Sequence, residues 1–222
     1  MSNLEAAPQA GGTLNTLAFL RRAGQTKRYH TEVVLKEQNV GEHSFNVAWL
    51  CYLLTNKRPM SALLLHALAH DSAEHATGDI PAPTKRSLGI RPVVDNLENA
   101  LMNEAGLELP PLDEHNAHIL KVADALDGVL YCLREHHLGN QLINIVFKNF
   151  AAYVREQLYH YHEKYNDVFG AGAEYVETVA LEILLHAEAQ FKGGTGSHPL
   201  DREHMKNIAK SAQAAVAPQA KE

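Results

Sequence analysis

Only two of the 222 residues are cysteine, and Cys51 and Cys132 each sit in an apolar, helix-spaced pattern with no second cysteine nearby. That excludes a disulfide framework or a zinc knuckle and predicts two buried free thiols. No apolar run approaches the roughly 20 residues of a membrane span. The opening MSNLEAAPQAGG lacks the charged-then-apolar layout of a secretion signal. The reading is therefore a cytoplasmic protein with no membrane partner. Basic residues are in deficit, 20 Lys and Arg against 26 Asp and Glu, for a net charge of -6. This argues against a broad surface for a nucleic-acid polymer, whereas a small anionic substrate needs only a few local cations and a metal. Strand patterning is also scarce: Val33-Val34-Leu35 has no partner strand elsewhere and reads as loop.

What the chain has is helix. Apolar residues make up 45% of it, ample for one continuous core in a single domain. The pattern predicts an all-α bundle of about six to seven helices, without internal repeats. Residues 1–12 are small and polar, with Pro8 and Gly11-Gly12, and are expected to be disordered. The domain is expected over 13–190 and a flexible tail over 191–222. The first helix, 13–23, would turn Leu14, Leu17, Ala18 and Leu20 to one side and end at Gly24. Helices are expected over 41–55, over 59–76 with Met60, Leu63, Leu64, Ala67 and Leu68 buried, and over 92–106. Pro81 and Pro83 imply an extended run between the last two. Asp113 is the N-cap of the best-defined helix, whose apolar stripe runs through Ile119, Leu120, Ala123, Leu126, Leu130 and Leu133 to the terminator Gly139. Helices over 142–165 and 173–190 follow.

Chemistry concentrates in HDSAEHATGDIPAPTK, residues 70–85, at the end of an apolar helix. His70 and Asp71 are ligand-type neighbours at a helix end, costly to bury unless something pairs with them. His43 lies on the first turn of its helix. Asp124 sits mid-helix among Val122, Ala123, Ala125 and Leu126, where aspartate has poor propensity, and is expected to face inward onto a cation. These four residues are the candidate metal ligands. Two imidazoles and two carboxylates suit Mn, Co, Fe, Zn or Ni, and Mg less well. Glu74 and Asp79 are candidates for proton transfer. Arg28, Lys85 and Lys121 are candidate phosphate contacts, Lys121 because it lies one turn before Asp124. His66 and His70 have zincin spacing, but Ala67, Leu68 and Ala69 between them supply no glutamate base. His136, His137, His160 and His162 read as ordinary surface residues.

The ordered set His43, His70-Asp71, Asp124 resembles the HD-domain metal-dependent phosphohydrolases. The strings RYHT (28–31), NVGEHS (39–44), HDSAEHATGDIPAPTK and KVADALDG are similar to the branch that holds bacterial 5′-deoxynucleotidases and small phage-type dATP triphosphohydrolases. The resemblance covers about Leu14 to Leu138. It implies metal ligation by the four residues named, with Glu74 orienting water or a further metal and Asp79 donating a proton. It also implies phosphate contacts from Arg28, Lys85 and Lys121. Tyr29 stands where relatives carry Trp near the deoxyribose and base, and Thr31 would line the same pocket. The implied reaction is hydrolysis at the 5′-phosphate of a deoxynucleotide by a homo-oligomeric enzyme. RYHT tips the expectation toward dATP giving deoxyadenosine and triphosphate. The alternatives are a 5′-deoxynucleotidase acting on monophosphates and a non-catalytic nucleotide-binding protein.

Overall fold

Asp113 caps the longest-range organiser of the fold, α7 (Glu114–His137), its carboxylate accepting from the amide of Asn116 at 2.8 Å. The structure, a computed structural model, describes residues 10–192. The expected disordered start before residue 10 and the tail beyond 192 lie outside them. Within the described residues are nine helical segments and no strand, only one isolated bridge between Lys27 and Asn39. Val33 to Leu35 lie in the loop that this bridge closes, as the lack of a partner strand implies.

The core forms around α7, which packs against α2 (Val40–Leu54), α3 (Ser61–Ala69), α8 (Asn144–Phe169) and α9 (Ala171–Phe191). Because neighbours surround it, its buried set is wider than one stripe. Val122, Ala125, Val129 and Cys132 join Ile119, Ala123 and Leu126 in the core, while Leu120 and Leu130 are only partly buried. In α2, Val40, His43, Val47, Leu50, Cys51 and Leu54 recur at helical spacing on the inward side. His43 is thus carried into the interior by an apolar face. Cys51 and Cys132 are buried free thiols, as expected.

Three departures from the sequence expectation matter. The first helix, α1 (Ala10–Ala23), begins before residue 13, and its predicted apolar side is not buried: Leu14 is 64% and Leu17 51% exposed. It touches the rest mainly through the Thr16 hydroxyl on the Ala105 carbonyl and the Phe19 ring against His75. The helix expected over 59–76 breaks after Ala69. A turn through residues 71–73 leads to the single-turn α4 (Glu74–Thr77), and Met60 and Leu68 face solvent while Leu63 and Ala67 are buried. Finally, the proline run opens a short helix, α5 (Ala82–Ser87), ahead of α6 (Arg91–Glu104). Proline needs no N–H partner in a first turn, so it starts a helix here rather than preventing one.

Candidate metal centre

Four elements converge on one point. His43 comes from the first turn of α2 and is fully buried. His70 caps α3, Asp71 follows in the turn to α4, and Asp124 projects from the middle of α7. His43, His70 and Asp71 offer ligand atoms that all lie within 4.8 Å of one another. His43 Nε2 is 3.2 Å from His70 Nε2, 3.4 Å from Asp71 Oδ2 and 3.2 Å from Asp124 Oδ1. The break after Ala69 makes this possible, because it turns Asp71 off the helix axis toward α2. Asp124 is not enclosed as expected: its side chain is 41% exposed, with one oxygen in the cluster.

The far nitrogen of each imidazole fixes its tautomer. His43 Nδ1 donates to Asp127 Oδ2 at 2.6 Å, and His70 Nδ1 donates to the Ala67 carbonyl at 3.0 Å. Both Nε2 lone pairs then point at each other across 3.2 Å, an arrangement that repels unless a proton or cation lies between them. Burial opposes a charge on His43, as does Arg28, but hydrogen bonds to Asp124, Asp127 and Asp71 push its pKa up to about 10. Burial likewise opposes ionisation of Asp71 and Asp124. The two histidines, and for Asp71 also Arg28, outweigh it and hold both carboxyls below their ordinary range. The imidazole nitrogens of His43 and His70 with the Asp71 carboxylate, and the Asp124 carboxylate beside His43, fit a divalent metal ion.

The other predicted site residues divide. Arg28 is buried with Nη1 2.7 Å from Asp71 Oδ2, and its Nε has no protein partner. Glu74 is buried; desolvation, then the charges of Asp71 and Asp79, push its pKa up to about 9, and its Oε2 is unpartnered. Asp79 accepts the Tyr29 amide at 3.2 Å. Tyr29 takes a left-handed backbone (φ 55°), unusual for a bulky residue. Its ring is stacked on Tyr131 at 4.2 Å and only 9% exposed. The Tyr29 ring thus packs in the core, and Thr31 lies exposed on the loop beyond it. Lys85 pairs with Glu98 of α6 at 3.4 Å. Lys121 is exposed, and its charge acts on Glu114 and His118 rather than on the cluster. The expected spacing did put it one turn from Asp124, but its long side chain runs outward.

Two carboxylates escaped the sequence reading. Asp127, one turn beyond Asp124, is buried against His43. Glu135 is fully buried and accepts the amides of Leu35 and Lys36, each at 2.7 Å, and Asn140 Nδ2 at 2.8 Å. It ties the loop that carries Arg28 and Tyr29 to α7. The spacing of Asp127 from Asp124 was a signal available in KVADALDG, while nothing local marks Glu135.

Comparison with known proteins agrees with this architecture. The chain is 31% identical over 147 residues to a 5′-deoxynucleotidase of Cronobacter sakazakii, covering 55% of this chain and 73% of the relative. It is 30% identical over 153 residues to a dATP triphosphohydrolase of Salmonella phage PMBT28, covering 62% and 77%. In fold it is similar to an HD-domain phosphohydrolase from Listeria innocua (TM-score 0.58, 20% identity, 90% of this chain and 99% of that one). It is also similar to an HD phosphohydrolase of cyanophage S-2L solved with dA and one catalytic Zn2+ ion (TM-score 0.51, 18% identity, 79% and 95%). The family model described as 5′-deoxynucleotidase YfbR-like matches residues 15–174. With its helical architecture and its histidine and aspartate cluster, the chain belongs to the YfbR-like 5′-deoxynucleotidase family of HD-domain phosphohydrolases.

Proposed function

We propose that the protein is a metal-dependent 5′-deoxynucleotidase that releases phosphate from deoxynucleoside monophosphates. The observation that carries this reading is the small supply of cations at the cluster. Arg28 is held on Asp71 and Lys85 on Glu98, while Lys121 lies outside. With a divalent ion, that charge matches one phosphoryl group better than three. The reading departs from the dATP expectation, which leaned on RYHT, because the Tyr29 ring is stacked on Tyr131 and Thr31 is exposed. The triphosphohydrolase remains the second reading on one ground: Arg86 and Arg91 act on the Tyr153 phenol together with Asp124, so two further cations stand near that side.

His43, His70, Asp71 and Asp124 would hold the ion, which when bound supplies Lewis acidity at the phosphoryl oxygen and acidifies water. Arg28 orients a phosphoryl oxygen through a guanidinium that Asp71 already holds in place. Glu74, buried and with Oε2 free of any protein partner, delivers a proton to the departing 5′ oxygen. Asp79, occupied with the Tyr29 amide, keeps the backbone beside Arg28 in its left-handed turn. The same reading makes the protein a cytoplasmic homo-oligomer.

The test is incubation of the purified full chain with Mn2+ or Co2+ and each deoxynucleoside mono- and triphosphate, with products identified by mass. Phosphate and deoxynucleoside from monophosphates supports the proposal. Deoxyadenosine with intact triphosphate from dATP, and no action on dAMP, replaces it with the second reading. Bound metal without turnover of any nucleotide points to a binding protein.

A further inference from the structure

Asp127 is a carboxylate only 3% exposed, set between α2 and α7, with no Arg or Lys paired to it among the described residues. It has three donors. His43 Nδ1 lies at 2.6 Å and Gln38 Nε2 at 3.0 Å, both on Oδ2, and Asn46 Nδ2 lies 3.0 Å from Oδ1. The two amides are neutral. The buried negative charge is therefore offset only through the imidazole of His43, and a buried carboxylate without such an outlet is costly. An imidazole that donates to a carboxylate becomes a better electron donor at its other nitrogen.

We propose that Asp127 is a positioning residue of the metal centre: it holds His43 with Nδ1 protonated and Nε2 turned into the cluster, and makes it the stronger of the two imidazole donors. The inference rests on the metal reading above. Its geometry is a grip from both sides. Asp124 and Asp127 are three residues apart and so share a face of α7. The first lies 3.2 Å from His43 Nε2 and the second 2.6 Å from Nδ1. Gln38 and Asn46 engage both oxygens of Asp127, so the carboxylate cannot rotate away from the ring. His70 lacks this arrangement. Its Nδ1 donates to the Ala67 carbonyl, which carries no net charge. The two histidines are chemically unequal although both offer Nε2.

The experiment compares the wild-type full chain, D127N and D127A, each stripped by chelator. Zn2+ alone is titrated calorimetrically, thermal unfolding is recorded without metal, and histidine ring 15N spectra are taken with zinc bound. D127A is expected to lose roughly 10- to 100-fold in zinc affinity. D127N should lose less, because its amide oxygen can still accept from His43 Nδ1 once the Asn46 amide turns over. In the zinc-loaded wild type the His43 Nδ1–H should show the downfield proton of a hydrogen bond to a carboxylate, and in D127A that signal should move upfield. Wild-type zinc affinity in D127A, or in D127N should D127A fail to fold, overturns the proposal whatever happens to the melting temperature, since Asp127 would then only join two helices. A wild-type chain that binds no Zn2+ overturns the metal reading itself, a result distinct from equal binding by wild type and variants.

Discussion

Asp71 serves three partners at once. Its Oδ2 accepts from Arg28 at 2.7 Å and lies 3.4 Å from His43 Nε2, and its Oδ1 lies 3.4 Å from His70 Nε2. Asp71→Ala is expected to abolish metal binding and turnover, and also to leave the Arg28 guanidinium buried without a counter-charge, which costs about 3–5 kcal/mol. Metal content, turnover and thermal unfolding check the three consequences together; full activity in this variant would remove the site assignment. Glu74→Gln separates proton delivery from structure. The amide occupies the same space but has no acidic proton, so metal content and melting temperature should hold while kcat falls about 100- to 10,000-fold. A Glu74→Gln enzyme with undiminished kcat would take proton delivery away from this residue. The sequence made Asp71 and Glu74 legible because ligand-type residues stood out against an apolar helix. Asp127 was not legible as a partner of His43, because that contact spans 84 residues and only the fold brings it about.

Among the elements, α7 does most to place the site, and its packing shows where local pattern stops being informative. Its cap, apolar spacing and glycine end all follow from residues within the helix. Gly128 has a reason that lies in α8: a Cβ there would meet the Phe150 ring at 2.5 Å. Gly128→Ala is therefore expected to push α8 outward and destabilise the fold by about 1–3 kcal/mol, which for a chain of this size lowers the melting temperature by about 2–4 °C per kcal/mol. Calorimetric unfolding tests it, and an unchanged midpoint would mean that Phe150 swings clear at no cost. Glu135 anchors the loop in the same non-local way, from the last turns of α7 to Leu35 and Lys36 about 100 residues earlier in the chain. In Glu135→Gln one carboxylate oxygen becomes an NH2 group facing a backbone N–H, so the two amides should exchange with deuterium faster than in wild type. Unchanged protection at Leu35 and Lys36 would show that the loop is held elsewhere. The break after Ala69 was equally hidden: SALLLHALAHDSAEHA has the apolar spacing of one continuous helix. Past the break Asp71 is held by Arg28 and faces His43, and those residues belong to another part of the chain.

For the molecule as a whole, the cluster links stability to pH with a definite sign. The pKa of Glu74 is raised from 4.5 to about 9 and that of His43 from 6.5 to about 10, so between these values the folded chain binds more protons than the unfolded one. Stability from such groups falls as pH rises. Glu74 contributes fully below pH 4.5 and loses its contribution through about 9, and His43 contributes fully below 6.5 and loses it through about 10. Asp71 and Asp124 run the other way, their lowered values giving stability above 3.8 that is lost as pH falls. The chelator-treated protein should therefore be most stable in mildly acidic solution, and its melting temperature should decline steadily from about pH 6 to about pH 9. A divalent ion supplies positive charge at His43 Nε2 in place of the proton and must displace it to bind, so its affinity rises with pH. Since ligand stabilisation grows as RT ln(1 + [L]/Kd), a fixed concentration of Mn2+ should raise the melting temperature more at about pH 8 than at about pH 6. Unfolding scans with and without metal across that range decide the matter. A metal-induced shift independent of pH would mean that the ion does not compete for the proton on His43 and sits elsewhere in the molecule.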